Sequence, residues 1–156
     1  MELRAKVLVV SDGVASGARE DRSGPALVRT FLGAGFAVEE HRAVGDGTEA
    51  VTTALRELTE DFTGVVATTG GTGFAPRDLT PEGTRAALDR EAPGLAEAMR
   101  LTSPLGRLSR AVAGTMGSCI VVNTPGSPSG AVECLEAVLD VLPHALALLA
   151  EQPTQH

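Results

Sequence analysis

The sequence predicts an α/β protein with a mostly parallel sheet, in one domain spanning residues 1–156. Short, largely apolar runs at 7–10, 65–68 and 119–122 have the pattern of strands buried on both faces. Segments with apolar residues at helical spacing stand between them, so strands and helices alternate along the chain. A chain of 156 residues is long enough to bury roughly two thirds of its unfolded surface around one core. No internal repeat, linker or low-complexity tract divides it.

The first strand, 7–10, leads into a polar loop over 11–22. A helix follows, with Ser23 as its cap, Pro25 in its first turn and Leu27, Val28, Phe31 and Leu32 on one face. Gly33 and Gly35 end it. Residues 36–44 form a weaker strand whose Glu39, Glu40, His41 and Arg42 suit a sheet edge. Asp46 precedes Glu49 at capping-box spacing, and Val51, Ala54, Leu55 and Leu58 line one side of the next helix. After the strand at 65–68, Thr80-Pro81-Glu82 supplies cap, proline and first-turn acid for another helix. Pro93-Gly94 opens a short helix reaching Arg100, and 102–117 reads as loop. The strand at 119–122 precedes Pro125-Gly126, which fits a type II turn, and Ser127-Pro128 starts the last helix. There Val132, Leu135, Val138, Leu139, Leu142, Leu146 and Leu149 face inward, and Pro143 should kink or split it.

Composition narrows the function classes. A net charge of −7 argues against a large nucleic-acid surface, which needs a basic footprint. With four Phe and no Trp or Tyr, few aromatic faces are available for stacking on bases. Lys6 is the only lysine, so a Walker A loop is excluded. No apolar stretch approaches the ~18 residues of a membrane span, and 7–10 is too short for a signal-peptide core; a cytoplasmic protein is expected. Cys119 and Cys134 read as buried, inert thiols. His41, His144 and His156 show no metal or triad spacing.

The stretch that carries chemistry is 65–82. It runs from an apolar strand into Thr69-Gly70-Gly71-Thr72-Gly73, then Arg77-Asp78, then the helix start at Thr80. Glycines admit positive φ and close ligand approach, and successive N–H groups in such a turn favour anions. Strand-to-helix turns often contain glycine, but three glycines and two threonines at the carboxyl end of a buried strand exceed what a turn requires. Asp46 taken alone reads as a helix cap, and Asp78 alone as a turn acid paired with Arg77 or Arg85. Both, however, follow a strand and precede a helix, so one rim of the sheet gathers them. Two carboxylates beside phosphate-binding amides suit magnesium, which takes oxygen ligands and substrate phosphates. Gly45 to Ala50 also matches the dinucleotide pattern G-x-G-x-x-A, but no acidic residue stands ~20 positions later, so the match is chance.

These segments resemble the molybdenum-cofactor biosynthesis family of molybdopterin adenylyltransferases (MogA, and the gephyrin and plant G-domains) and MoaB-like proteins. The resemblance runs in order through Ser11-Asp12, Asp21-x-Ser23-Gly24-Pro25, Gly45-Asp46, the glycine loop with Arg77, Asp78, Thr80, Pro81 and Glu82, then Gly94-x-x-Glu97-x-x-Arg100, Leu108-Ser109-Arg110 and Asn123-x-Pro125-Gly126-Ser127-Pro128. It implies a three-layer α/β/α domain, commonly a trimer and in some MoaB-like members a hexamer. It implies transfer of AMP from magnesium-ATP to the terminal phosphate of molybdopterin, with Asp46 and Asp78 as the catalytic residues and as candidate metal ligands. Asp12, Thr69, Gly70, Gly71, Thr72, Gly73, Ser109, Arg110, Asn123, Pro125, Gly126 and Ser127 would line one pterin-phosphate and nucleotide pocket, and other pathway proteins are candidate partners. Thr124 stands where many members have leucine, and Phe74-Ala75 lie in a variable part of the loop. A MoaB-like binding or scaffold protein without chemistry is the rival expectation. A sugar-phosphate or nucleotide enzyme using the same loop is a remote third.

Overall fold

The computed structural model describes residues 1–154; His156 lies outside them. Six strands form one sheet: β1 (Arg4–Val10), β2 (Ala37–Val44), β3 (Gly64–Thr69), β4 (Arg90–Glu91), β5 (Ala113–Met116) and β6 (Cys119–Thr124). Their spatial order is β2-β1-β3-β6-β5-β4. The first four run parallel, β5 is antiparallel to β6, and β4 is antiparallel to β5. The helices are α1 (Asp12–Ser16), α2 (Ser23–Gly33), α3 (Thr48–Thr59), α4 (Thr80–Ala87), α5 (Pro93–Arg100), α6 (Pro128–Glu136) and α7 (Leu142–Leu149). A single 3₁₀ turn at Pro104–Leu108 follows α5.

Strand alternation divides the core into two apolar layers, as a sheet covered on both faces requires. Ala5, Val7, Val65, Ala67, Ile120 and Val122 point to the side covered by Leu27 and Phe31 of α2, Met99 of α5, Leu135 of α6 and Leu142 and Leu146 of α7. Leu8, Val10, Val66, Cys119 and Val121 point to the other, where α3 lays down Val51, Ala54, Leu55 and Leu58. The three-layer α/β/α class expected from the sequence is the one observed. Pro143 sits in the first turn of α7, and the last helix is split before it, as proline geometry requires.

Four local expectations are corrected. The segment 11–22 is not all loop: Ser11 caps the five-residue helix α1, which buries no side chain and so leaves no apolar period to read. Ser23 does not cap α2; Asp21 Oδ1 accepts the Gly24 N–H at 2.9 Å instead. Leu32 is exposed rather than packed. The loop expected over 102–117 contains β5, and the two-residue β4 was not foreseen; both exist only through pairing that reaches back to β6.

The topology fixes where ligands gather. From β1 the chain passes to β2 on one side and then to β3 on the other, so the crossovers diverge at the carboxyl ends of β1 and β3. In open α/β sheets such a switch point opens a crevice. On the other side of the sheet's end α3 packs on α4, where Thr52 Oγ1 donates to the Gly83 carbonyl at 2.7 Å. A Cβ on Gly83 would stand 2.7 Å from both Thr48 O and Val51 Cβ. Gly→Ala inside a free helix gains about 1 kcal/mol, but here crowding against backbone prevails. Gly83→Ala is expected to lose about 1–3 kcal/mol, read as a lower urea midpoint; a raised midpoint would refute this packing.

Candidate active site at the sheet switch point

The site begins with the way β3 ends. Gly70 (φ 100°) and Gly71 (φ 67°) turn the chain in the left-handed region. A Cβ on Gly70 would lie 2.3 Å from the Val10 carbonyl, and one on Gly71 2.3 Å from Thr80 Oγ1. Thr80 does not cap α4. Its hydroxyl donates to Gly70 O at 2.9 Å and its N–H to Gly71 O at 3.1 Å, closing the loop onto the helix. The Gly70 N–H is taken by Thr124 O at 3.1 Å. No protein acceptor takes the N–H groups of Gly71, Thr72 or Gly73 among the described residues. Three successive unpaired amides form the anion-favouring part of the loop.

A carboxylate stands at each end of that run. A Cβ on Gly71 would sit 3.4 Å from Asp46 Oδ1, and one on Gly73 3.0 Å from Asp78 Oδ2. The expected cap role of Asp46 is not seen: Gly47 (φ 124°) is the cap position of α3 and no side chain caps it. Instead Asp46 and Asp12 clasp each other across loops. The Asp12 N–H donates to Asp46 Oδ2 at 2.9 Å and the Asp46 N–H to Asp12 Oδ1 at 3.0 Å. Arg77 closes the cluster, with Nε 2.7 Å from Asp12 Oδ2 and Nη2 3.1 Å from Asp12 Oδ1 and 3.0 Å from Asp46 O. The Arg77 guanidinium, then the Asp46 N–H, hold the Asp12 carboxyl below its ordinary range. Asp78 Oδ2 accepts the Ala75 N–H at 3.0 Å, and among the described residues no ion pair engages Asp46 or Asp78.

Arg110, expected on the pocket wall, braces the loop from behind. Its N–H donates to Thr72 O at 2.9 Å, and its guanidinium to Gly73 O at 2.8 Å, Glu82 Oε2 at 2.7 Å and the Asp78 carbonyl. The same guanidinium lowers the Glu82 carboxyl below its usual range. Asn123 is fully buried, and its amide is spent on Thr68 Oγ1 (2.9 Å), Thr84 Oγ1 (3.0 Å) and the Val112 N–H (3.1 Å). Thr124, the departure from leucine, is pinned in the sheet by its hydroxyl on Thr68 O. Phe74 is exposed on the loop surface.

Two cavities flank the turn after β6, where one was expected. The first, about 460 Å³, lies at the switch point and is lined by Ser11, Asp21, Asp46, Thr69, Gly70, Gly71, Asp78 and Gly126, among others. The second, about 360 Å³, lies across the turn and includes Met99, Leu105, Ser109, Asn123, Pro125, Ser127 and Cys134 in its walls. Asp12, Thr72, Gly73 and Arg110 line neither. Thr69 Oγ1 donates to Pro125 O at 2.8 Å, tying the turn to the glycine loop. Gly126 does not adopt positive φ, so this is not a type II turn. Sequence reasoning missed the wall residue Asp21, which also pairs with His41 Nε2 at 2.7 Å across Gly24. Its three-residue spacing before Gly24 was the available signal. Among the described residues no three His, Cys, Asp or Glu side chains converge as a metal cage. Asp46 and Asp78 are hard oxygen donors, a partial set that suits magnesium because this ion keeps waters and takes substrate phosphates.

Comparison with known proteins identifies the family. The family described as a probable molybdopterin binding domain matches residues 6–144. The molybdopterin adenylyltransferase of Escherichia coli K12 is 38% identical over 146 residues, covering 88% of this chain and 74% of that protein. The Drosophila melanogaster molybdenum cofactor synthesis protein cinnamon is 37% identical over 152 residues, 93% of this chain, which spans only 25% of that longer protein. Among solved structures, MoaB from Thermus thermophilus, described as a molybdopterin biosynthesis enzyme, is 45% identical with a TM-score of 0.89, covering 98% of this chain and 99% of that one. The matched span and these relatives show that the chain belongs to the molybdopterin-binding domain family of molybdenum-cofactor biosynthesis.

Proposed function

We propose that the protein transfers the adenylyl group of ATP to the terminal phosphate of molybdopterin and releases pyrophosphate. The observation that carries this reading is the run of three unpaired amides at Gly71, Thr72 and Gly73 with Asp46 at one end and Asp78 at the other. The names of the adenylyltransferase relatives supply the substrate classes.

The two cavities suit the two substrates. The polar switch-point cleft takes the nucleotide, while the second cavity, with Met99, Leu105 and Cys134 in its walls, takes the pterin. The turn between them brings the molybdopterin phosphate toward the ATP α-phosphorus. A phosphate oxygen attacks, a new O–P bond forms, and the bond from the α-phosphorus to the bridging oxygen breaks with its electron pair leaving on pyrophosphate. The attacking oxygen is already ionised near neutral pH, so no side chain has to remove a proton. The amides of residues 71–73 hold an anionic oxygen in place, and catalysis is then positioning and electrostatics. Magnesium, held by Asp46, Asp78 or both, would offset charge on the leaving group when bound. The trimer or hexamer implied by the resemblance belongs to the same proposal, and light scattering on the purified chain measures it.

A second reading has an observation of its own. Each carboxylate closes a loop, Asp46 on the Asp12 N–H and Asp78 on the Ala75 N–H, and a binding or scaffold protein without chemistry would keep both for that reason alone. Asparagine separates the readings, because its side-chain oxygen still accepts either N–H while the charge is gone. Purified protein given molybdopterin, ATP and magnesium is expected to release pyrophosphate, and omitting any one should stop it. Asp46→Asn and Asp78→Asn are each expected to cut turnover by about 100-fold or more with molybdopterin affinity retained. No pyrophosphate from the wild type under these conditions removes the transfer reading and leaves the binding one.

A further inference from the structure

We propose that Arg77 is a positioning residue that sets the spacing between the Asp46 and Asp78 carboxylates and so governs how tightly the cleft holds a divalent cation. This rests on the adenylyl-transfer reading. Arg77 immediately precedes Asp78, so its main chain belongs to the loop that carries that carboxylate. Its guanidinium leaves that loop and binds the other one, through Asp12 Oδ2 at 2.7 Å, Asp12 Oδ1 at 3.1 Å and the Asp46 carbonyl at 3.0 Å. Asp12 returns two bonds to Asp46, at 2.9 and 3.0 Å. Among the described residues, no other side chain from 74–79 bonds the segment bearing Asp46. Arg110 fixes the far side of the loop, through Gly73 O and the Asp78 carbonyl, but does not reach Asp46.

The clasp also sorts the charges. Arg77 pairs with Asp12, so of these three neighbouring aspartates only Asp12 is held in a salt bridge among the described residues. The Arg77 and Asp12 side chains are 65% and 51% exposed, and a pair so open contributes little to folding stability. Its role therefore shows in geometry and ligand affinity. Lysine keeps the charge but lacks the planar fork that spans both Asp12 oxygens and the Asp46 carbonyl.

The test uses Mn2+ as the probe, with a non-hydrolysable ATP analogue and the full chain, and reads Mn2+ binding by electron paramagnetic resonance. Arg77→Gln is expected to raise the Mn2+ dissociation constant roughly 10- to 100-fold, as losses of outer-shell partners do. Arg77→Lys should restore only part of that loss. Asp12→Ala, which removes both oxygens that Arg77 holds, should weaken binding in the same direction, and the double variant should be no worse than the weaker-binding single, because both changes break one clasp. The thermal midpoint and molybdopterin affinity measured without metal should stay at wild-type values. Wild-type Mn2+ affinity in Arg77→Gln, full recovery in Arg77→Lys, additive losses in the double variant, or a parallel fall in midpoint and molybdopterin affinity would each overturn the assignment. So would a wild type that binds no Mn2+ beyond the analogue alone. The binding measurement needs no turnover, so absent pyrophosphate release sinks the transfer reading while this experiment still decides Arg77.

Discussion

The close approach of backbone at the end of β3 is the constraint from which the rest of the site follows. Gly70 lies against the Val10 carbonyl and Gly71 against Thr80 Oγ1, each at a distance where a Cβ would stand only 2.3 Å away. Both also need positive φ, so two independent demands select glycine at each position. With the turn that tight, Thr80 can bond the carbonyls of Gly70 and Gly71 together. The N–H groups of Gly71, Thr72 and Gly73 are then left without an acceptor among the described residues. A looser turn would have let those N–H groups find carbonyls in the next strand or helix. The unpaired amides are thus a consequence of packing, held open by the start of α4.

That arrangement addresses an electrostatic difficulty. A chain of net charge −7 offers no long-range attraction to a nucleotide. Near the cleft, Arg77 is committed to Asp12 and Arg110 to Glu82 and to main-chain carbonyls. Arg19 and Arg22 also line the cleft, but at the glycine loop itself an anion would meet fixed N–H dipoles, which carry no counter-charge and need no reorganisation when a ligand arrives. Arg77 and Arg110 act on the frame: Arg77 ties two loops together across the mouth, and Arg110 buttresses the glycine loop from behind. Exchanging these roles would place mobile side chains against the phosphates and leave the loop without its braces.

What the sequence disclosed and what it withheld follow from the range of the forces involved. The buried strands and the apolar face of α3 declare themselves by local period, and Val51, Ala54, Leu55 and Leu58 are all in the core. The meeting of Asp46 and Asp78 at one rim was legible because both follow strand ends in a parallel sheet. β4 and β5 were not, since Arg90–Glu91 and the small residues of Ala113–Met116 acquire strand geometry only from distant partners. Capping residue types misled for the same reason. Asp46 and Thr80 have the right chemistry to cap, but tertiary partners claim their side chains. Arg110 and Asn123, expected at the pocket, have their donors satisfied inside the protein, though Asn123 also stands in the wall of the second cavity. Motif membership marks a residue as needed; it does not say whether the need is contact or support.

The division of the expected single pocket into two has a structural cause with a chemical consequence. The turn after β6 is held to the glycine loop twice, by Thr69 Oγ1 on Pro125 O and by the Gly70 N–H on Thr124 O. Ser127 then caps α6 by accepting the Gly130 N–H, so the turn is anchored at both ends. The turn therefore stands as an anchored partition between the two cavities, beside the glycine loop. A bulky, partly apolar ring system and a nucleotide would thus lie on either side of it. Under the adenylyl-transfer proposal such a partition would serve positioning, because it would favour one approach of the nucleophile to the α-phosphorus.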